Sequence, residues 1–497
     1  MKSNTFQSVY LCLLLVFAGV LSVSGTIALR NVLHVLLLVL LLGYILLTWR
    51  WEGQSIAQLV SIVPLPVWLW CTYLLVFPLV APDSVGALAN LLGNGMWGES
   101  VLTWILAWGA FGVLGAVRLS LWRLALVSAV PVYIHLFLTM LAWAGVLQPA
   151  FYEDPSLQQA VQSVWTALTD SSQVRGAFQV FPMGFRGIEP MHGNLGYPAS
   201  QTMCLGLAVM FAAWHRTDHW SMAKSGLLVV LCFVSVVIAQ SRAATYFGLL
   251  ILVLSFMAYG IYQRNCRQQA MGAQSSIARS AGVLMLSIGL VCLVFFWKVA
   301  SQNQVWYSMW DKMAIGFQIE SPKDLLCDGF TPTTHDFVRQ KYPGKDSAYT
   351  DALTDGLRGD GGRVLLARVG AELSVSHPWG WNGGRDAYEY RIEQLCGHEP
   401  AMKFSHAHNA WVNLILSLGW MAAILYAWVF CSFSKMGWNT LNNGHEWPSA
   451  LALLLLSIFW LLRGMVDAVY QEHYLQMQAF YPLLLVLRIR SGKPTRK

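Results

Sequence analysis

Residues 225–262 read SGLLVVLCFVSVVIAQSRAATYFGLLILVLSFMAYGIY. The stretch contains two apolar runs, 225–240 and 243–262, which are separated by Ser241 and Arg242. Apolar runs of about 17–25 residues are long enough to cross a bilayer as helices. The stretch therefore predicts two membrane-spanning helices joined by a turn that carries a permanently charged side chain.

The composition of the whole chain agrees with this interpretation. Of its 497 residues, 56% are hydrophobic and 11% are charged, and the mean hydropathy is +0.50. Soluble domains carry roughly 25% charged residues, so the sequence predicts a polytopic membrane protein. The net charge of +7 is spread over short loops and the C-terminus, which is typical of an orientation signal and not of a nucleic-acid-binding surface.

Further apolar runs extend the pattern to an all-α membrane fold with about twelve transmembrane helices. The predicted spans are 6–29, 32–48, 59–81, 100–117, 121–147, 196–214, 225–240, 243–262, 281–299, 409–432, 448–467 and 473–488.

The placement of Lys and Arg in short loops predicts the orientation, because cytoplasmic loops are enriched in these residues. The short loop 82–99 contains Asp83 and Glu99 but neither Lys nor Arg, and it is assigned to the outer face. Both termini are then cytoplasmic, and the long loops at about 148–195 and 300–407 face outward. The cationic residues on the cytoplasmic side are Arg50, Arg118, Arg123, Arg216, Lys224, Arg264, Arg267, Lys435, Arg488, Arg490, Lys493, Arg496 and Lys497.

Two arginines on the outer side are candidates for binding an anion. Arg242 lies in an outer turn, where the positive-inside rule disfavours a simple membrane anchor, and a guanidinium group matches phosphate geometry. Arg363 follows the glycine-rich stretch 359–362 at a predicted helix start, which is a natural anion site. The alternatives are a snorkelling anchor for Arg242 and a solvated loop-to-helix junction for Arg363.

The region after Arg363 is predicted to be an amphipathic helix that lies against the membrane and ends at His377. Arg368 and Glu372 are four residues apart on this helix and are expected to form an exposed pair. In the first long loop, Arg186 precedes Gly187. This part of the loop either faces a ligand or is a plain turn.

The segment Ser405-His406-Ala407-His408-Asn409 lies at the lip of a predicted span, where polar residues are functional candidates. A histidine can accept a proton from a hydroxyl near neutral pH, although one of the two imidazoles is expected to be structural. Asp467 closes a later span at the same face. It either orients one histidine or forms a local pair with Arg463.

Cys327 and Cys396 lie in the long outer loop and can pair if that loop faces an oxidising compartment. The remaining cysteines lie mostly in apolar runs and are expected to pack there. No Cys-x-x-Cys or Cys/His spacing typical of a metal site is present, so neither a metal nor a cofactor is expected.

These motifs resemble, in their order along the chain, the bacterial O-antigen ligase and polymerase superfamily, which includes protein O-oligosaccharyltransferases. The matching elements are Ser241-Arg242 at a span start, Gly362-Arg363 before a helix, His377-Pro378, His408-Asn409 with Gly419 downstream, Asp467, and the loop Gly193-Asn194-Leu195-Gly196-Tyr197-Pro198. Tyr246 and Ala422 depart from the family pattern, which leaves the subclass open. The resemblance covers about residues 185–470.

The resemblance implies a GT-C-type fold and a metal-independent inverting glycosyltransferase in the bacterial inner membrane, with its active site on the periplasmic side. The implied donor is a glycan on undecaprenyl pyrophosphate, held at its diphosphate by Arg242 and Arg363, with Arg186 as a third candidate. His408 is the implied base and Asp467 its acidic support, with His406 and Asn409 beside them.

The implied organisation is an N-terminal membrane part at 1–184, a catalytic region at 185–470 that includes the loop 300–407, and a last span with a basic tail at 471–497. The favoured acceptor is lipid A-core, which makes the chain an O-antigen ligase. A lipid-linked repeat would make it a polymerase, and a pilin-type protein would make it an oligosaccharyltransferase. A transporter of lipid-linked sugar is the alternative from a different class, but it predicts inverted repeats and charges paired at the membrane midplane, of which the sequence has little.

Overall fold

The computed structural model describes residues 3–48, 60–93, 97–170, 180–191, 193–269, 304–443, 446–470 and 472–492, with 289, 290, 294 and 297 in addition. Throughout these ranges the regular secondary structure is helical and contains no β-strand, which confirms the all-α fold. Most of the predicted span at 281–299 lies outside the described residues.

The first nine helices described belong to the N-terminal part of the chain, and the last two of them lie in the first long loop. They are α1 (Ser3–Val20), α2 (Ile27–Thr48), α3 (Leu65–Val80), α4 (Ser84–Leu92), α5 (Trp97–Arg118), α6 (Leu121–Ser128), α7 (Val130–Trp143), α8 (Pro149–Glu153) and α9 (Leu157–Thr169).

The remaining helices belong to the central spans, to the second long loop and to the last spans. They are α10 (Gly196–His215), α11 (His219–Ile238), α12 (Arg242–Gln269), α13 (Gln304–Gln318), α14 (Pro322–Asp328), α15 (Pro332–Lys341), α16 (Ser347–Asp355), α17 (Asp360–Ser376), α18 (Ala387–Cys396), α19 (Ala410–Asn443), α20 (Trp447–Arg463) and α21 (Glu472–Ser491).

Five of these helices, α2, α5, α11, α12 and α19, are long and apolar enough to cross a membrane. The pair α6 and α7 meets at a bend of 42° and makes a sixth candidate span. The chain is therefore an integral membrane protein. The number of such spans among the described residues is smaller than the twelve expected, partly because α1, α3 and α20 are shorter apolar helices.

Helix α10 lies at the centre of the bundle and is buried over almost its whole length. It packs against α6, α11, α12 and α20. Its polar residues Gln201 and Thr202 are also buried, and both donate hydrogen bonds to the Ser128 hydroxyl. A helix buried on all sides keeps its position through packing and internal hydrogen bonds, so the N-terminal end of α10 is a rigid support for the residues around it.

The second long loop folds around a small core of its own. This core combines Leu365, Leu366 and Val369 of α17 with Tyr388 and Ile392 of α18. Its further members include Val412 and Leu416, which belong to the start of α19. The loop is therefore packed onto the membrane bundle and is not a separate domain.

A disulfide bond joins Cys327, in α14, to Cys396, at the end of α18. Next to it, the amides of Ala401 and Met402 donate hydrogen bonds to the carbonyls of Cys327 and Leu326. These contacts tie the segment that leads to the histidines to the core of the outer loop.

Helix α19 is broken at Gly419, where φ is 86° and ψ is 170°. The turn after α17 docks into this break, because the amide of Trp420 donates to the Pro378 carbonyl at 2.9 Å and the amide of Trp381 donates to the Ser417 carbonyl at 3.1 Å. The first part of α19 thus belongs to the outer region, and the part after Gly419 is still long enough to cross a bilayer.

Candidate active site

His408 is held at the point where the outer loop turns into α19. Asn409 caps this helix, since its side-chain oxygen accepts hydrogen bonds from the amides of Trp411 and Val412 at 3.0 and 3.1 Å. The Asn409 side-chain nitrogen donates to the Met465 carbonyl at 3.1 Å. The predicted supporting residue Asn409 therefore fixes the backbone next to His408 and joins it to the loop after α20.

The backbone of His408 itself is in a left-handed conformation, with φ at 47°. On one side of it the Ala407 amide donates to the Asn413 side chain, and on the other the Ala410 amide donates to the Gly464 carbonyl at 2.7 Å. Such a conformation costs about 1–3 kcal/mol for a residue with a β-carbon, so the surrounding contacts must hold it.

The carboxylate of Asp467 faces the His408 ring. His408 Nδ1 lies 3.9 Å from Asp467 Oδ1, which is an ion-pair distance and too long for a hydrogen bond. The other oxygen, Oδ2, accepts hydrogen bonds from the Tyr197 hydroxyl at 2.6 Å and from Arg463 Nη2 at 3.1 Å. The carboxylate therefore forms the local pair with Arg463 and also faces His408, while a role for Asp467 in orienting that histidine stays a prediction.

The charge state of Asp467 follows from these neighbours. Burial by itself would raise the pKa of the carboxyl, but the facing His408 ring, the Arg463 charge and the Tyr197 hydroxyl outweigh burial and lower the pKa below its usual range. Asp467 is consequently a buried carboxylate at neutral pH.

His406 lies beside His408, with ring centroids 4.3 Å apart, and its Nδ1 is 2.9 Å from the Ser405 hydroxyl. Burial lowers the pKa of His406 to about 4, and the neighbouring His408 acts in the same direction. His406 is therefore neutral near pH 7. The contact with Asp467 distinguishes His408 from His406.

Arg242 begins α12 and meets Asp360, the first residue of α17. Its Nη1 and Nη2 donate to the two carboxylate oxygens of Asp360 at 2.6 and 2.9 Å. This is the two-pronged geometry in which a guanidinium group also binds a phosphate. The carboxylate of Asp360 adopts this geometry on Arg242.

A cavity of about 430 Å³ opens at this salt bridge. It brings Arg242 together with Arg363 and adds a third cation, Lys312 of α13. The full lining is Arg242, Lys312, Ala352, Asp355, Gly356, Gly359, Asp360 and Arg363. The cavity therefore offers three cationic side chains against two carboxylates.

Residues 227–427 of the chain match the family model described as O-Antigen ligase. This region is therefore similar to the O-antigen ligase family. Its members are glycosyltransferase-like enzymes, and the match supports a function of the O-antigen ligase or polymerase type. A search of curated proteins finds no match to this chain.

The matched range contains Arg242, Arg363 and His408, whereas Tyr197 and Asp467 lie outside it. Arg363 connects the two parts of the site, since its charge contributes to lowering the pKa of both His406 and Asp467. The cation-lined cavity and the histidine pair thus belong to one continuous region on one face of the bundle.

Arg186, the third predicted diphosphate ligand, is not part of the cavity lining. Its guanidinium donates to the carbonyls of Pro190 and Glu153 at 3.0 and 3.3 Å and so joins its own loop to α8. These bonds fit the turn interpretation of Arg186, and its role as a diphosphate ligand stays a prediction.

The predicted Arg368–Glu372 pair is wrong. Arg368 Nη1 instead donates to the carbonyls of Gly316, Phe317 and Ile319, the unsatisfied acceptors at the end of α13. An arginine finds stronger partners in several helix-end carbonyls than in one exposed carboxylate.

The glycines before Arg363, which the sequence analysis connects with anion binding, also allow two segments of the outer loop to pack closely. A β-carbon on Gly361 would lie 2.6 Å from the Lys312 carbonyl, and one on Gly356 would lie within 2.7 Å of the Lys312 side chain. These glycines let α13 approach α17 closely and so bring Lys312 into the cavity that Arg242 and Arg363 line. In the sequence Lys312 is an ordinary lysine of a polar loop, and no local signal identifies it.

Proposed function

We propose that this protein is an O-antigen ligase-type glycosyltransferase, which moves a glycan from undecaprenyl pyrophosphate to a hydroxyl of lipid A-core at the periplasmic face of the inner membrane. The observation that carries the proposal is the histidine–carboxylate pair of His408 and Asp467 beside a cavity lined by three cations. The match to the O-antigen ligase family model supports the same reaction class.

In the proposed reaction, His408 Nε2 accepts the proton of the acceptor hydroxyl, because Nδ1 faces Asp467. The hydroxyl oxygen forms a bond to the anomeric carbon of the donor glycan as the bond from that carbon to the diphosphate oxygen breaks. The bonding electrons leave with the diphosphate, and attack from the opposite face inverts the anomeric centre. Asp467 stabilises the imidazolium that forms, as a carboxylate does in a catalytic triad.

The leaving diphosphate gains negative charge in this step, and fixed cations are the groups that stabilise it. Arg242, Arg363 and Lys312 are assigned this role because they line one cavity. Since side-chain cations can provide this stabilisation, we propose a metal-independent mechanism. Binding of the diphosphate is an exchange in which phosphoryl oxygens replace Asp360 on Arg242.

We propose a GT-C-type arrangement of about twelve spans with both termini cytoplasmic, and a catalytic region at 185–470 that follows a membrane part at 1–184 and precedes a last span and tail at 471–497. The supporting observation is that His408, Asp467, Arg242 and Arg363 occupy the end of the bundle that carries the long loops, which the Lys and Arg distribution assigns to the periplasm.

The experiment that tests the function is a deletion strain complemented with wild-type protein or with the His408→Asn variant, examined on lipopolysaccharide gels. A ligase predicts loss of all O-chain from lipid A-core while lipid-linked polymer is still made. A band of core with one repeat would indicate a polymerase, and unchanged lipopolysaccharide with lost protein glycosylation would indicate an oligosaccharyltransferase. Lipid-linked glycan trapped on the cytoplasmic side would instead support a transporter.

A further inference from the structure

Arg463 is a fully charged side chain inside the bundle, with only 1% of its surface exposed. Its guanidinium lies 4.8 Å from the ring centre of Tyr197 on α10 and 5.4 Å from that of Phe247 on α12. Stacking between aromatic rings is favourable for a planar, weakly hydrated cation, so the two rings fix the position of Arg463. Phe247 belongs to α12, the helix that begins with the proposed diphosphate ligand Arg242. Arg463 therefore contacts the helix that carries this ligand.

The carboxylate of Asp467 receives three donors from behind. Tyr197 and Arg463 donate to Oδ2, and the amide of Ala468 donates to Oδ1 at 2.9 Å. Three hydrogen bonds from separate directions leave a carboxylate no freedom to rotate. Oδ1 is therefore kept towards His408.

Two of these donors, Arg463 and Tyr197, help the facing His408 ring to keep Asp467 charged. Burial favours the protonated form, and the positive charge of Arg463 and the Tyr197 hydroxyl act against burial. The other titratable and charged groups that face this pair are His408 itself, His406 beside it, and Arg363, whose charge acts on both Asp467 and His406. The charge of Arg385 also acts on His406.

We propose that Tyr197 and Arg463 are positioning residues of the transfer site: together they hold Asp467 ionised and directed at His408. The proposal rests on the proposed function, because it assumes that the pair of His408 and Asp467 handles the proton. It adds two residues that lie on α10 and at the end of α20, and it explains why the acid of the site is buried and yet charged.

The sign of the expected pH effect follows from the contacts. Without the Arg463 charge or the Tyr197 hydroxyl, fewer groups oppose burial and the pKa of Asp467 rises. Asp467 then takes up a proton at a higher pH than in the wild type, so support for His408 is lost as the pH falls and is retained as the pH rises. Below the new pKa the ionised fraction of Asp467 falls about tenfold per pH unit, and the part of the rate that depends on this support falls with it.

The test compares the pH profile of glycan transfer by purified full-length protein, with undecaprenyl-pyrophosphate-linked glycan and lipid A-core as substrates. Arg463→Met and Tyr197→Phe are expected to show an acidic limb at higher pH than the wild type, and Arg463→Lys is expected to restore part of the wild-type profile. Tyr470→Phe is the matched control, because it removes a buried hydroxyl that donates to the Trp460 carbonyl and not to Asp467. Its profile should equal that of the wild type.

A second readout needs no transfer reaction. Infrared difference spectra recorded during a pH titration report the protonated carboxyl of Asp467 as a band that is absent from Asp467→Asn. This band should appear at higher pH in Arg463→Met than in Arg463→Lys.

The proposal is overturned if the band and the acidic limb stay at the wild-type pH in both Arg463→Met and Tyr197→Phe, since a purely structural role lowers the rate equally at every pH. Normal transfer by His408→Asn would reject His408 as the base and with it the proposed function. The infrared result would still show whether Tyr197 and Arg463 keep Asp467 ionised.

Discussion

The salt bridge between Arg242 and Asp360 puts a carboxylate of the protein where a phosphate group of the donor is proposed to bind. Because the two anions compete, Asp360→Asn should tighten the binding of inorganic pyrophosphate by about tenfold, the effect of removing one charged hydrogen-bonding competitor. Titration calorimetry on the purified protein measures the dissociation constant.

Asp355→Asn is the matched control, because it removes a negative charge from the same cavity lining. If both variants bind pyrophosphate more tightly by the same factor, the tighter binding comes from the change in overall charge and not from release of Arg242. If Asp360→Asn binds pyrophosphate more weakly, the carboxylate positions Arg242 and does not compete with the ligand.

The two neighbouring histidines can be separated by substitution with asparagine, which tolerates the left-handed backbone that His408 adopts. His408→Asn should lower the transfer rate by at least about 100-fold, the usual contribution of a general base. His406→Asn should keep most of the activity, since His406 is neutral and His408 is the histidine in ion-pair contact with Asp467. Transfer of lipid-linked glycan by purified protein is the measurement, and equal losses in both variants would contradict the assignment of the base.

At the scale of elements, the break in α19 joins the outer loop to the membrane bundle. Gly419 has a φ of 86°, and a β-carbon there would lie 2.9 Å from the Pro378 carbonyl oxygen. Gly419→Ala should therefore lower the free energy of unfolding by about 1–3 kcal/mol from backbone strain, with the steric clash in addition. It should also disturb His408, which lies at the start of the same helix.

Thermal unfolding in detergent checks this prediction, with Gly260→Ala in α12 as the control. A β-carbon at Gly260 meets no atom within 4 Å, so alanine should be neutral there or stabilise the helix by up to about 1 kcal/mol. An unchanged melting temperature in Gly419→Ala would show that the docking of the turn after α17 contributes little.

The whole molecule shows which kind of information the sequence contains. The all-α membrane fold followed from apolar run lengths, and Arg242, His408 and Asp467 stood out because charged and polar residues at a membrane lip are costly. Arg363 stood out because it follows a glycine-rich stretch at a helix start. These signals are local and can be seen in a single stretch of sequence. For Arg186 such a local signal is ambiguous, because a guanidinium in a loop binds backbone carbonyls as readily as it binds an anion.

The residues that were missed reach the site through packing between distant segments. Lys312 enters the cavity because glycines of two helices allow close approach, and Arg463 is held between rings from α10 and α12. Arg463 was visible in the sequence only as a possible partner of Asp467, four residues away. Its burial depends on the tertiary fold, which periodicity and composition do not encode.

The orientation of the whole protein can be tested directly. The Cys327–Cys396 disulfide belongs to the same outer region as α15, and disulfides persist in oxidising compartments such as the periplasm. With the free cysteines replaced, Asp336→Cys in α15 should react with a membrane-impermeant maleimide in intact spheroplasts. Lys435→Cys, near the other end of α19, should react only after permeabilisation. Both residues are exposed, so labelling differs through membrane sidedness and not through burial. The opposite pattern would move the proposed active site to the cytoplasm and exclude lipid A-core as an acceptor at the periplasmic face.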